Sequence, residues 1–165
     1  MDWRKLIDEH GPALVLYARQ WANSHADAED ALQDGLVRFW RAWQRGRVNA
    51  DAPIGLLYAC VKRSALDRLR SGKRRAAREE QAADLLYDAE PMFESGLDAR
   101  EQQSEIADAL KRLPEEQREA VVMKIWGGLT FREIAESLQI PQDTAASRYR
   151  YALKALARRL ATRES

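Results

Sequence analysis

The apolar positions between Leu129 and Tyr151, LTFREIAESLQIPQDTAASRYRY, fall into two short helices with a tight break between them. Ile134, Ala135 and Leu138 form one stripe of about two helical turns. Thr130 followed by Glu133 is a capping box, in which hydroxyl and carboxylate each satisfy an orphan backbone N–H. Gln139-Ile140-Pro141 ends this helix: Ile140 is apolar enough to wedge between helices, and Pro141 suits the first turn of a new one. Ala145, Tyr149, Ala152, Leu156 and Leu160 then recur at helical spacing and predict one buried face. The opposite face carries Thr144, Ser147, Arg148, Tyr151 and Lys154, with Arg150 on its flank. A helix-turn-helix whose second helix enters DNA needs this layout, polar groups near the start for bases and basic groups for phosphates.

Upstream, Trp3, Leu6 and Ile7 predict a first helix, interrupted at Gly11-Pro12, and Leu14, Tyr17, Ala18 and Trp21 predict a second. Ser24 can cap a third, from about Ala26 to Gln44, with Leu32, Leu36, Phe39 and Trp43 facing inward. Its acids come first (Asp27, Glu29, Asp30, Asp34) and its bases last (Arg38, Arg41, Arg45), as the helix dipole favours. Trp40 lies off the inward stripe. Gly46 to Ala52 is a loop, and Pro53 opens a fourth helix burying Ile54, Leu57, Val61 and Ala65. No useful period-two pattern occurs, so the expected fold is all-α.

Charge divides the chain. Lys62 to Arg78 holds eight bases against Asp67 alone, and Glu79 to Glu105 holds nine acids against Arg100 alone. From Pro141 onward the chain is basic again, through Arg148, Arg150, Lys154, Arg158, Arg159 and Arg163. Two basic lobes joined by an acidic connector suit a protein that grips DNA at two places. The expected division is an N-terminal domain over 1–78, a linker over 79–104 with at most short helical pieces, and a C-terminal domain over 105–165.

Composition removes other classes. No apolar run approaches the ~18 residues of a membrane span, and Met1-Asp2-Trp3-Arg4 does not open a cleavable signal. Cys60 is the only cysteine in 165 residues, so no internal disulfide can form and a reduced, cytoplasmic setting is expected. His10 and His25 lack partners at ligand spacing, so no metal is expected. There is no phosphate-cradling glycine loop and no nucleophile–base order. Neither catalysis nor a cofactor is expected.

Leu113 to Leu156, LPEEQREAVVMKIWGGLTFREIAESLQIPQDTAASRYRYALKAL, resembles the C-terminal domain of extracytoplasmic-function (ECF) sigma factors of the sigma-70 family. DAEDALQDGLVRFWRAW (Asp27 to Trp43) and LLYACVKRSALDRLR (Leu56 to Arg70) are similar to motifs of the same family's N-terminal domain. The chain departs at Gln139, where the family usually has a turn glycine, and at Asp143, Ala145 and Ala146. Leu56 and Arg63 depart in the other half. The changes at the start of the second helix imply a DNA preference different from the commonest one.

The resemblance implies a transcription initiation factor that binds core RNA polymerase and promoter DNA. Asp27, Asp30, Gln33 and Asp34, expected on the outer side of their helix, would dock on the β′ clamp helices. The helix-turn-helix would read the −35 element as duplex through Arg132, Thr144, Ser147, Arg148, Arg150, Tyr151 and Lys154. The −10 element would be melted at the loop by Arg47, Asn49 and Asp51, with Lys62, Arg63 and Arg70 holding strand backbone. An anti-sigma factor is a further partner of such a protein. Two other readings stay open: a stand-alone helix-turn-helix regulator that binds duplex only, and a sigma mimic that sequesters a regulator.

Overall fold

The computed structural model describes residues 1–78 and 106–163, and every regular element among them is helical. The expected linker, 79–104, lies outside the described residues. The N-terminal half contains α1 (Trp3–Ala18), α2 (His25–Gln44) and α3 (Pro53–Arg78). The C-terminal half contains α4 (106–111), α5 (Glu115–Val121), α6 (Phe131–Leu138) and α7 (Gln142–Arg163).

The expected break at Gly11-Pro12 does not occur: α1 runs unbroken through Pro12. An internal proline removes one helical hydrogen bond and costs about 3 kcal/mol. Pro12 sits on the exposed side, while Ala13 to Ala18 are all buried directly after it. Burying Leu14, Val15 and Leu16 at about 1.5–3 kcal/mol each outweighs the missing bond.

Ser24 caps α2, accepting the Asp27 N–H at its hydroxyl (3.1 Å). Leu32 and Phe39 are fully buried, but Trp43 is 37% exposed, at the rim rather than in the core. It meets Phe39 with ring centroids 6.4 Å apart, since the inward stripe peels from the bundle as α2 ends. Helices α2 and α3 are in close contact at Gly35. A Cβ there would lie 2.6 Å from Val61 Cγ2 and 2.8 Å from Val61 Cα. Gly35→Ala is therefore expected to destabilise the N-terminal bundle by about 1–3 kcal/mol through overpacking. A thermal melt followed by circular dichroism checks this; an unchanged midpoint would mean that α2 and α3 are not in contact there.

In the C-terminal half, α5 leads into a wide turn over Val122–Trp126 that the sequence reading did not foresee. Gly127 N–H reaches back five residues to the Val122 carbonyl (3.1 Å), and Leu129 N–H bonds the Met123 carbonyl (3.1 Å). Such widened turns release the chain from a helix without leaving amides unpaired. Gly127 is needed here, because a Cβ would lie 2.5 Å from the Tyr58 hydroxyl and 2.6 Å from the Met123 carbonyl oxygen.

Both halves share one contiguous hydrophobic cluster, from Leu14 and Tyr17 through Leu57 and Tyr58 to Val122, Leu129 and Ile134. Helix α3 packs on α6, and α1 packs on the Val122–Trp126 turn. A Cβ at Gly55 would come within 2.8 Å of the Glu133 carbonyl oxygen, so the two backbones nearly touch.

Candidate nucleic-acid and polymerase interfaces

The helix-turn-helix forms from α6 and α7. Thr130 and Glu133 make the reciprocal capping box: Glu133 N–H donates to Thr130 Oγ1 (3.2 Å), and Thr130 N–H donates to Glu133 Oε2 (2.7 Å). Gln139 adopts the left-handed conformation (φ 55°, ψ 49°) that glycine usually fills. Its side-chain amide donates to the Glu136 carbonyl (2.8 Å), and Ile140 N–H donates to the Ala135 carbonyl (3.0 Å), which offset part of the strain. Gln139→Gly is expected to raise stability by no more than about 1 kcal/mol, because relief of the left-handed strain is opposed by added chain entropy and the lost amide bond. A denaturant titration checks it, and a lowered midpoint would mean that the amide bond outweighs the strain.

On α7, Ala145 and Ala152 are buried and Tyr149 is half-buried against Phe131 (5.7 Å between centroids). Arg150, Tyr151 and Lys154 are exposed, Tyr151 at 60%. Arg150 donates to Ser147 Oγ (3.1 Å), and Thr144 and Ser147 are half-buried. Arg148 is half-buried and points into a cleft of about 590 Å³ between α3 and the C-terminal half. Arg132, on α6, is exposed and lies 3.6 Å from Asp51 Oδ2.

The loop after α2 turns at Gly46 (φ 65°). Asn49 shapes it: its Oδ1 accepts the Asp51 N–H (3.0 Å) and its carbonyl accepts the Ala52 N–H (3.2 Å). The Asn49 amide then points outward, donating to both carboxylate oxygens of Glu136 at 3.0 Å. Arg47 is exposed, and Arg63 and Arg70 are exposed and line the same cleft as Arg148. Lys62 differs from its companions. It is held by Glu119 (2.6 Å) and Glu115 (3.8 Å), with its ammonium over the Trp21 ring.

Asp30 and Asp34 lie on the outer side of α2, as expected, with side chains about half exposed, but they are not free of partners within the chain. Arg68 from α3 pairs with Asp34 (2.7 Å) and Asp30 (3.5 Å). Asp27 is half-buried and lines a small cavity of about 180 Å³ with Arg68, Trp21 and Leu69. The reason is neighbourhood: helical period fixes which residues share a face, and α3 lies close enough for Arg68 to reach that face. Gln33 is exposed on the same helix. Beside it, Val37 and Trp40 are exposed at 48% and 42%, and with Trp3, Ile7 and Leu36 they line a shallow apolar groove. Trp40 meets Trp3 edge to face at 5.3 Å.

The sequence reading missed a buried polar cluster between the halves. Tyr17 donates its hydroxyl to Glu119 (3.0 Å), and Trp21 donates its indole N–H to Glu115 (3.1 Å). Burial and the Glu119 carboxylate raise the Tyr17 phenol well above its usual pKa, so it remains a donor. Arg118 Nε donates to the Gln20 side-chain oxygen Oε1 (3.0 Å). One signal was available: Glu119 sits directly before the apolar run Ala120–Val121–Val122, and an acid buried with it needs a partner.

Two family models match this chain, Sigma-70 region 2 over residues 6–75 and Sigma-70, region 4 over residues 103–156. The ECF RNA polymerase sigma factor SigL of Mycobacterium tuberculosis is 31% identical over 156 residues, covering 93% of this chain and 85% of that protein. Among solved structures, CnrH bound to the cytosolic domain of CnrY superposes with a TM-score of 0.67 at 24% identity, over 96% of this chain and 87% of that one. The sigma factor RpoE of Bartonella quintana, bound to the anti-sigma factor NepR, gives 0.64 at 22% identity over 96% of each. A helical bundle followed by a helix-turn-helix, with a SigL-like sequence across nearly all of both, makes the chain a member of the ECF sigma factors of the sigma-70 family.

Proposed function

We propose that this chain directs core RNA polymerase to promoter DNA, with α7 reading the −35 element as duplex and loop 46–52 with α3 capturing and melting the −10 element. The division of labour follows 1–78 for polymerase and −10 binding, 79–104 as linker and 105–165 for −35 binding. The chain performs no chemistry of its own. The observation that carries this reading is the loop at Asn49, whose Oδ1 fixes the turn while its exposed amide is held as a donor, here to the Glu136 carboxylate. An extruded base needs such a preset donor.

Polymerase docks on the α2 face formed by Gln33, Val37 and Trp40, with Asp27, Asp30 and Asp34 along its edge. Exposed apolar side chains grouped around one aromatic anchor mark an interaction surface. An anti-sigma factor is a further partner, as NepR is for one structural neighbour. Run-off transcription with purified core polymerase, with and without the chain, is the test. A stand-alone duplex regulator would bind promoter fragments yet give no polymerase-dependent transcript.

Arg148 supplies a sharper check. Arg148→Ala is expected to cost about 1–3 kcal/mol on the best −35 duplex, with relaxed specificity at one base pair, if the guanidinium meets a guanine edge. A phosphate contact would instead weaken all sequences alike and flatten the salt dependence. Titration of duplexes by fluorescence anisotropy at two salt concentrations separates these outcomes, and unchanged binding removes Arg148 from the interface.

A further inference from the structure

Helix α7 carries six bases and a single acid, and the acid comes first. The bases run from Arg148 to Arg163, whereas Asp143 lies in the first turn and is exposed. The Ala145 N–H bonds the Pro141 carbonyl (3.1 Å), so the helix is already formed where Asp143 enters it. From Asp143, the residues Ser147, Arg150 and Lys154 follow at spacings of four, three and four. Such spacings make one line along a helix. The line runs on the side away from Ala145 and Ala152, which are buried. Arg150 and Ser147 are hydrogen-bonded along it (3.1 Å).

A carboxylate at the leading end of this line opposes DNA binding in general, because it repels phosphate. Its use must lie in choosing bases. A recognition helix enters the major groove with its N-terminal residues against base edges. Asp143 then meets bases, while Arg150 and Lys154 further along hold backbone. The four bases offer a carboxylate very different edges there. Cytosine presents the N4 amino group alone, and adenine presents its N6 amino group beside the N7 acceptor. Guanine presents N7 and O6, and thymine O4, all acceptors.

We propose that Asp143 is a specificity-determining residue of the −35 interface, selecting cytosine at one base pair. It accepts a hydrogen bond from cytosine N4, and repulsion between acceptors rejects guanine and thymine at the same place. The proposal rests on the reading of α7 as the −35 helix. Specificity of this kind comes from a penalty on wrong partners, with affinity supplied elsewhere on the helix. An acid in the first turn also favours the helix dipole. That contribution is the same whatever DNA is bound, so it alters stability and leaves base preference unchanged.

The test uses the full chain in holoenzyme with core polymerase, as wild type, Asp143→Ala and Asp143→Asn. Fragments of a promoter that the holoenzyme transcribes carry each of the four bases in turn at every −35 position. The −10 element is kept constant, and competition binding gives relative affinities. Wild type is expected to prefer cytosine about tenfold at one position of one strand. Asp143→Ala should lose that preference at that position alone. It should also bind the guanine and thymine fragments about threefold more tightly than wild type does. Asp143→Asn should favour adenine there, because a carboxamide pairs with N6 and N7 together. A thermal melt establishes that both variants are folded. An Asp143→Ala profile identical to that of wild type overturns the proposal. A gain equal for all four bases overturns it too, leaving Asp143 as a source of phosphate repulsion only. In both cases α7 still reads the −35 element. A wild-type holoenzyme indifferent to every −35 position would instead overturn the −35 reading, and the role of Asp143 with it.

Discussion

Replacing Asn49 and Asp51 together with alanine is expected to reduce transcription from a fully paired promoter about 10- to 100-fold while leaving −35 duplex binding intact. Unstacking a base costs a few kcal/mol, and each 1.4 kcal/mol of lost pocket contact is about tenfold in rate. The loop geometry permits a cleaner dissection than the double variant alone. Asn49 Oδ1 holds the Asp51 N–H, whereas the amide points outward. Asn49→Asp keeps the acceptor that shapes the turn and replaces the outward donor with a carboxylate. If the donor serves the extruded base, the Asp variant should be as defective as Ala. If Asn49 only shapes the turn, the Asp variant should be active. Permanganate footprinting of the −10 region on a paired template, with holoenzyme, reads this directly. Equal thymine reactivity in wild type and double variant would move melting to Arg63 and its neighbours on α3.

Local chemistry was the legible part of this chain. The Thr130–Glu133 capping box, the Ser24 cap and the Gly46 to Ala52 loop are each set by residues three to six apart, so their types and spacing suffice. Errors arose where tertiary context outweighed a local preference. Pro12 stays helical because six buried residues follow it. The candidate sites were less legible than the helices. Asn49 and Glu136 are separated by 87 residues, and Tyr17 and Glu119 by 102. Periodicity can place each residue on a face but cannot say which face it meets. The same gap hid the pairing of Arg68 with Asp30 and Asp34, which alters how polymerase docking must be tested.

Reversing charge at Asp30 and Asp34 would set two lysines against Arg68, so any loss of polymerase binding could come from disturbed packing of α2 on α3. Gln33, Val37 and Trp40 offer a better test, since they follow one line along α2 and are exposed. Trp40→Ala combined with Val37→Glu is expected to weaken binding to core polymerase by at least about 30-fold. A central aromatic anchor contributes about 2 kcal/mol or more, and a carboxylate introduced into an apolar contact adds a desolvation cost. The fold should hold, because the main loss inside the chain is an edge contact between Trp40 and Trp3, with aromatic pairs worth about 0.5–1.5 kcal/mol. Competition between wild type and variant for core polymerase gives the affinity ratio, and a thermal melt confirms folding. Duplex −35 binding should be unchanged, since α7 lies in the other half. Full retention of polymerase by the folded variant would shift docking to the Asp30–Asp34 edge. There, Asp34→Asn would remove the charge while keeping a side-chain oxygen for Arg68, separating docking from packing.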